Sequence, residues 1–564
     1  VVLLSLDGFA AQRHAQLLQQ GAYRHPQGLQ AFWQQGWVVE QALAPNPTLT
    51  SVSHATIATG RWPQEHGIVA NRFHLPHTPL GATVSGFEVP WEAEPLWARA
   101  RRQGKKVGVV TFPGCDGTSP QRTADFFMVY VNTPWVRPRF WRLPVDKDQV
   151  SLAVTAEKSG ETWTFPLTLV REPSTGRWLG LRIGQGSAQG PLVQVGQWFP
   201  LTLTRPHEDG GRQTVGAWCL LQELDQSRQE VVLYQGGFYA LEASPRPFRQ
   251  LLEERAGFWP GPPDDEALKA GLAGEMGLSL EAYHQQLARF ARFFTNAALA
   301  AIQTLDFDLL LAYQPIVDEA QHALLVEDPR QAAFSPGLQR TSQEFLDGVY
   351  QLADEEVGKL ATALDFSRDA LVVVSDHGMH PVWAQLNLQE LFTQQGLCPA
   401  REEKGKRFLD PACKLWVVPG GGVAHVYLNL SPADPMGLAQ AKERQEVLLR
   451  AMEELAKVTV AGEPALEAAA EHKDLGAWGL AHPHSGDLVV FAQPGVLLGG
   501  RLGDPLLSAP PYWGAHGYLN HHPSLAAVFM ARGAGVPRER QKQGPLTQVV
   551  PLVAQLLGLA PAAP

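Results

Sequence analysis

The chain has 564 residues, 45% of them apolar, and a net charge of −10 with no basic run and no alternation of basic and aromatic residues. That length allows a large core with insertions into it. The charge argues against wrapping a nucleic-acid duplex and leaves room for a small phosphorylated substrate, which needs only a local positive site.

Residues 1–130 alternate strand and helix signals. VVLLSL at Val1–Leu6 reads as a buried strand closed by Asp7-Gly8. Pro45–Thr48 is extended, and SVSHATIAT at Ser51–Thr59 reads as a helix ended by Gly60. Thr50 therefore stands at a helix start, where free N–H groups and the macrodipole favour a phosphate. Pro95–Gln103 is amphipathic, with Pro suited to a first helical position, and KVGVVTF at Lys106–Phe112 reads as a further buried strand. Such alternation predicts an α/β fold with a doubly wound, mostly parallel sheet. Across 131–264 the texture changes to short alternating runs such as Trp163–Val170, Trp178–Ile183 and Val231–Tyr234, with further tryptophans at 135, 141, 198 and 218. This reads as an inserted antiparallel β-rich lobe whose tryptophans pack its core.

Residues 265–380 resume the α/β core. A helix is expected from Leu280 to Leu305, then a strand at Leu309–Tyr313 leading into Asp318-Glu319-Ala320-Gln321-His322. A strand at Leu371–Val374 leads into Ser375-Asp376-His377-Gly378. Residues 381–500 read as a mixed α+β cap segment with strands at Ala424–Leu430 and Asp487–Phe491 and a helix around Leu438–Lys457. Residues 501–564 return to the core with Gly514-Ala515-His516-Gly517, a strand at Leu525–Met530 and a helix near Leu546–Leu557. Of the cysteines, Cys115, Cys219, Cys398 and Cys413, none fits a zinc-finger spacing. Cys398 and Cys413 bracket a polar loop, compatible with a disulfide or with two thiols. No run approaches the roughly 18 uninterrupted apolar residues of a membrane helix. The chain opens on a core strand without Met, so no signal peptide is expected within it.

In open α/β sheets ligands gather beyond the carboxyl ends of the strands, where Asp7, Asp318 and Asp376 are expected. Asp318 and His322, four apart on a helix, share one face and reach one ion. Asp376 and His377 bring two ligand types to one sharp turn, and His516 stands where flanking glycines let backbone approach closely. Taken singly, each has a plain structural reading as a helix start, a strand terminator, a turn or a helix cap. Together, Asp7, Thr50, Asp318, His322, Asp376, His377 and His516 make one two-metal constellation, with Thr50 as nucleophile candidate. His54 and His66 are expected to buttress the fold, His521 and His522 to lie on a surface turn, and His380, His482 and His484 have no spacing that recommends them.

The sequence resembles the alkaline phosphatase superfamily, and most closely its nucleotide pyrophosphatase/phosphodiesterase branch. The matching words are SLDGF at 5–9, HATIATG at 54–60, PQEHGIVAN at 63–71, FPG at 112–114, SDHGM at 375–379 and GAHGY at 514–518, supported by AHVYLN at 424–429 and GDLVVFA at 486–492. The resemblance implies two Zn2+ ions, with Mn2+ or Fe also compatible with Asp and His ligands. It assigns Asp7, Thr50, Asp376 and His377 to one ion and Asp318, His322 and His516 to the other. It makes Thr50 the nucleophile, gives Asn71 a non-bridging phosphoryl oxygen, and implies a phospho-threonine intermediate. It also implies export, which suits zinc loading outside the cytosol. Ser51 departs from the pattern: nucleotide-cleaving members carry an aromatic there that stacks on the base, and Val52 and Ser53 replace the usual Pro and Asn. The expected activity is hydrolysis of phosphodiester or pyrophosphate bonds.

The alternatives are a phosphomonoesterase, a phosphonate hydrolase, and a non-catalytic binding protein. A neutral donor at Asn71 suits a diester's single charge better than a monoester's. Lys105 and Lys106 read as strand-flanking surface residues and not as phosphonate ligands. Loss of a metal ligand would favour the binding protein, and every ligand is present.

Overall fold

In the computed structural model, the described residues are 1–184, 190–410, 412–430 and 441–561. They divide into two units, one formed by 1–125 with 305–564 and the other by 126–304. The cuts fall near the expected start of the lobe but beyond its expected end at 264. Residues 265–304 group with the lobe.

In the first unit, runs buried on both faces, Val2–Leu6, Val107–Val110, Leu309–Gln314 and Ala370–Ser375, make up most of a central sheet, as a parallel sheet covered by helices requires, while its edge strand Arg540–Pro545 is polar and largely exposed. Its strands are β1 (Val2–Leu6), β2 (Trp37–Leu43), β3 (Val107–Val110), β4 (Leu309–Gln314), β5 (Ala370–Ser375), β6 (Ala527–Gly533) and β7 (Arg540–Pro545). They lie in the order β3-β4-β1-β5-β6-β2-β7. All run parallel except β6, which is antiparallel to β5 and to β2. The register sets Leu6 opposite both Gln314 and Ser375. One residue further on, all three chains leave the sheet side by side, which is why Asp7, the helix Ile316–Leu324 and Asp376 meet.

The cap segment 381–500 forms its own antiparallel sheet, in the order Leu415–Gly420, Val423–Leu428, Leu488–Ala492, Leu466–Glu471. Its helix spans Ala441–Ala456; positions 438–440 of the expected helix lie outside the described residues. Cys398 and Cys413 form a disulfide, while Cys115 and Cys219 are free and buried.

In the second unit, a sheet of Gln149–Thr155, Thr162–Arg171 and Trp178–Ile183 faces a sheet of Arg139–Pro144, Trp198–Pro206, Arg212–Asp225 and Glu230–Gln235. Alternate residues of both, including Leu152, Trp163, Leu167, Leu201, Ala217 and Leu233, share one core. The other face of the second sheet explains the regrouping of 265–304. Leu220 and Tyr234 pack there on Ala267, Leu278 and Ala282. Arg289, from the helix Leu280–Thr304, sets its guanidinium 4.6 Å from the Trp198 ring and 4.1 Å from that of Trp218. Helical periodicity marks an apolar stripe but does not say which sheet receives it. Among the described residues no helix is long and apolar enough to cross a membrane.

Candidate active site

The helix Thr50–Thr59 is made of small and apolar residues all round and is buried on every face. Its first residue, Thr50, is 9% exposed and sets its hydroxyl 3.3 Å from His377 Nε2. His54, one turn on, donates from Nδ1 to the Thr50 carbonyl and accepts at Nε2 from the Ser5 hydroxyl. With both ring nitrogens engaged it braces the helix against β1 and offers no lone pair. His66 is likewise fully used, accepting from Ile68 N–H and bonding to Thr56 Oγ1.

Three further histidines of the site behave differently. Each turns Nδ1–H to a backbone carbonyl: His322 to Gly514 at 2.8 Å, His377 to Gly378 at 2.9 Å, His516 to Thr48 at 2.8 Å. That places a proton on Nδ1 and turns Nε2 toward the centre, the arrangement found behind metal-bound histidines. Those Nε2 atoms face carboxylates. His377 Nε2 is 3.1 Å from Asp376 Oδ2 and 3.5 Å from Asp7 Oδ1; His322 Nε2 is 3.3 Å from Asp318 Oδ2; His516 Nε2 is 3.9 Å from Asp318 Oδ1.

Two of the carboxylates, those of Asp376 and Asp7, are held by one oxygen and bare at the other. Asp376 Oδ1 accepts from Gly8 N–H and His377 N–H, and Asp7 Oδ2 accepts from the Tyr313 hydroxyl. Asp7 Oδ1, Asp376 Oδ2 and Asp318 Oδ1 are buried and have no hydrogen-bond partner. Buried acceptors without donors are costly. Three of them facing imidazole Nε2 atoms form a candidate donor set for a divalent cation. Burial, with Asp376 and Asp318 adding to it, holds the Asp7 carboxyl well above the ordinary range, and burial with the Asp318 charge pushes Asp376 up to about 8. Burial alone would raise Asp318 as well, but His322 and His516 beside it bring it below its usual value. Burial also pulls His322 down, and Asp318, by charge and by hydrogen bond, outweighs it and raises the imidazole to about 9. The pattern is an excess of negative charge in a dry site, which bound cations would relieve. Two donor groups stand out within it: Asp7, Asp376 and His377, and Asp318, His377 and His516, with His377 in reach of both.

Asn71 lies beside this centre. Its Oδ1 accepts from Ser51 N–H at 3.0 Å, which aims the side-chain NH2 away from the helix start. Ser51 is 1% exposed and donates to the Ala70 carbonyl, so it braces the segment carrying Asn71 and presents no face to a ligand. The sequence gives no role to Tyr313 or to the carbonyls of Thr48 and Gly514, although it marks the glycines beside His516. Tyr313 had a signal, as an aromatic with a hydroxyl in a strand beside the one that ends at Asp7. Thr48 and Gly514 act through backbone carbonyls, which no side-chain pattern marks.

The chain, a doubly wound sheet with carboxylates and imidazoles at its strand ends, is a member of the alkaline phosphatase superfamily. Within it, the chain belongs to the type I phosphodiesterase / nucleotide pyrophosphatase family, whose sequence model matches residues 1–178 and 249–519. Over 136 residues it is 32% identical to the bis(5'-adenosyl)-triphosphatase enpp4 of Xenopus laevis, a stretch covering 24% of this chain and 28% of that one. Over 129 residues it is 35% identical to ectonucleotide pyrophosphatase/phosphodiesterase family member 3 of Bos taurus, covering 21% of this chain and 14% of that one. The matched stretches thus span well under a third of these curated relatives. The structure of murine ectonucleotide pyrophosphatase/phosphodiesterase 5 shares the fold, with a TM-score of 0.50 at 14% identity over 99% of this chain and 95% of that one.

Proposed function

We propose that the protein hydrolyses phosphodiester or pyrophosphate bonds of a small substrate, with Thr50 as nucleophile, at a centre for two divalent cations. The observation that carries this reading is the set of three bare, buried carboxylate oxygens facing imidazoles whose Nδ1 atoms are already engaged. Asp7, Thr50, Asp376 and His377 are assigned to one cation and Asp318, His322 and His516 to the other, with zinc the preferred ion and Mn2+ or Fe also suited to these donors. When bound, the cations would supply Lewis acidity, making the Thr50 hydroxyl acidic and offsetting charge on the leaving oxygen.

Thr50 Oγ1 forms its bond to phosphorus as the bond to the leaving oxygen breaks in line, giving phospho-Thr50 and the released alcohol or phosphate. Water then attacks phosphorus from the side the leaving group vacated, breaks the bond to Thr50 and restores its hydroxyl. Asn71 donates from Nδ2 to a non-bridging oxygen, since its Oδ1 is committed to Ser51 N–H. A neutral donor suits the single charge of a diester. The names of the relatives agree with this class of bond, whereas the buried Ser51 provides no surface for a nucleobase. Export of the protein is proposed with it, because such a centre is more readily loaded with zinc outside the cytosol.

The test is hydrolysis of bis-p-nitrophenyl phosphate, p-nitrophenyl phosphate and the p-nitrophenyl ester of thymidine monophosphate by zinc-loaded protein, beside Thr50→Ala. Faster turnover of the diesters, abolished in Thr50→Ala, is expected. Preference for the monoester would overturn the reading.

A further inference from the structure

Away from Thr50, a second set of donors converges on Glu467, in the cap strand Leu466–Glu471. His521 Nε2 lies 3.0 Å from Glu467 Oε1, and His522 Nε2 lies 2.7 Å from Oε2. The two rings are 4.2 Å apart and tilted by 35°. One donor atom from each of the three residues falls within 4.8 Å of the others. Two imidazoles from adjacent residues turned onto the two oxygens of one carboxylate are the donors a borderline cation prefers. The side chains of Glu467 and His522 are 17% and 22% exposed and that of His521 is 62% exposed, so the carboxylate is sheltered while one side stays open to water ligands.

A cluster of the same composition, Glu92 with His482 and His484, serves as a contrast. There His482 Nδ1 accepts from His484 N–H at 3.1 Å, so its Nε2 carries the proton it gives Glu92 and keeps no lone pair. His522 Nε2 also donates to Glu467 Oε2 in this structure, but neither His521 nor His522 has such a backbone donor at Nδ1 among the described residues, so either ring can move its proton to Nδ1 and give Nε2 to a cation.

We infer that Glu467, His521 and His522 form a further divalent-cation site, for ions that take imidazole, such as zinc, cobalt or nickel, in preference to magnesium or calcium. Its position gives it a task. The turn carrying the two histidines is tied through Asn520 to Asn46 and Ala44, and through the His522 carbonyl to Leu525, whose own carbonyl accepts from Gly378 N–H. A cation held there fastens the cap strand to the backbone that joins His516 to the turn after Asp376 and His377.

The experiment is equilibrium dialysis of the whole protein against graded Zn2+, with metal counted per chain, for the wild type, Glu467→Gln and His521→Ala. At saturation each variant is expected to hold one zinc per chain fewer than the wild type, with its hydrolysis of bis-p-nitrophenyl phosphate unchanged. Equal counts in all three proteins overturn the inference. So does a loss of more than one zinc, which would mean that the cluster only supports the centre at Asp7. The count is read without turnover, so failure here and failure of the diesterase reading are told apart.

Discussion

His377 and His516 lie ring over ring, 3.7 Å between centroids and 18° from parallel, although their Nδ1 atoms are fastened to the carbonyls of two distant residues, Gly378 and Thr48. Burial pulls His377 down to about 3, and burial with the neighbouring His377 holds His516 well below its ordinary value. Both rings are neutral in this arrangement, since two imidazolium ions could not be stacked this closely in a dry site. Neutral rings with fixed tautomers are ready to bind cations without first shedding protons.

Tyr313→Phe removes the hydroxyl that donates to Asp7 Oδ2 and leaves both oxygens of that carboxylate without a donor. The expected result is a folded protein whose zinc is held roughly 10–100-fold more weakly. Competition with a chromophoric chelator measures it, and an unchanged affinity would show that Asp7 needs no such support.

Asn71→Asp keeps an acceptor for Ser51 N–H but replaces the NH2 donor with a negative charge where the proposed phosphoryl group would lie. Turnover of bis-p-nitrophenyl phosphate should fall by about 10²-fold or more, while the melting temperature stays near that of the wild type. A large drop in melting temperature would instead make Asn71 a structural residue.

Ser51→Phe would place an aromatic where Ser51 Oγ bonds to Ala70 and where even a Cβ on Gly86 would come within 2.7 Å of that oxygen. Overpacking should cost about 1–3 kcal/mol in urea unfolding. The ratio of kcat/KM for the thymidine ester to that for the simple diester is not expected to rise. A rise would show that the segment moves aside and that a base platform can be rebuilt.

His66 is fully buried, and burial holds its imidazole down at about 3. The unfolded chain takes up a proton near pH 6.5 and the folded chain only near 3, so the unfolded state binds more protons between these values. The stability contribution is therefore complete above about pH 6.5 and is lost as the pH falls, by up to about 1.4 kcal/mol per unit. His66→Gln should be less stable at pH 7 and show a shallower decline between pH 6 and 4 in urea titrations. An identical slope would place the acid sensitivity elsewhere.

Much of this arrangement is legible in the sequence because strand ends are marked so sharply. The runs before Asp7 and Asp376 are apolar at nearly every position, and the polar residues that end them are those the sheet brings together. The spacing of Asp318 and His322 gives their shared helix face directly. What is not legible is mutual placement. Asp7 and Asp376 meet because β1 and β5 are neighbours, a fact of strand order that no local pattern carries. The grouping of 265–304 with the lobe was missed for the same kind of reason, since it depends on Arg289 finding Trp198 and Trp218. The disulfide likewise needed the fold, because a polar loop between two cysteines leaves their distance open.

The bond from His516 to the Thr48 carbonyl joins residues 468 positions apart. At the usual rate of roughly 5–20 residues per second, a ribosome needs about half a minute or more to travel between them. During that interval the nascent chain already carries Thr50, Asp7 and, later, Asp376, but His516 has not been made and cannot fix the Thr48 backbone. The lobe of 126–304, by contrast, is contiguous and has all its strands long before then. Assembly of the candidate centre is thus deferred to a late stage of translation, and a chain stalled before His516 lacks that residue.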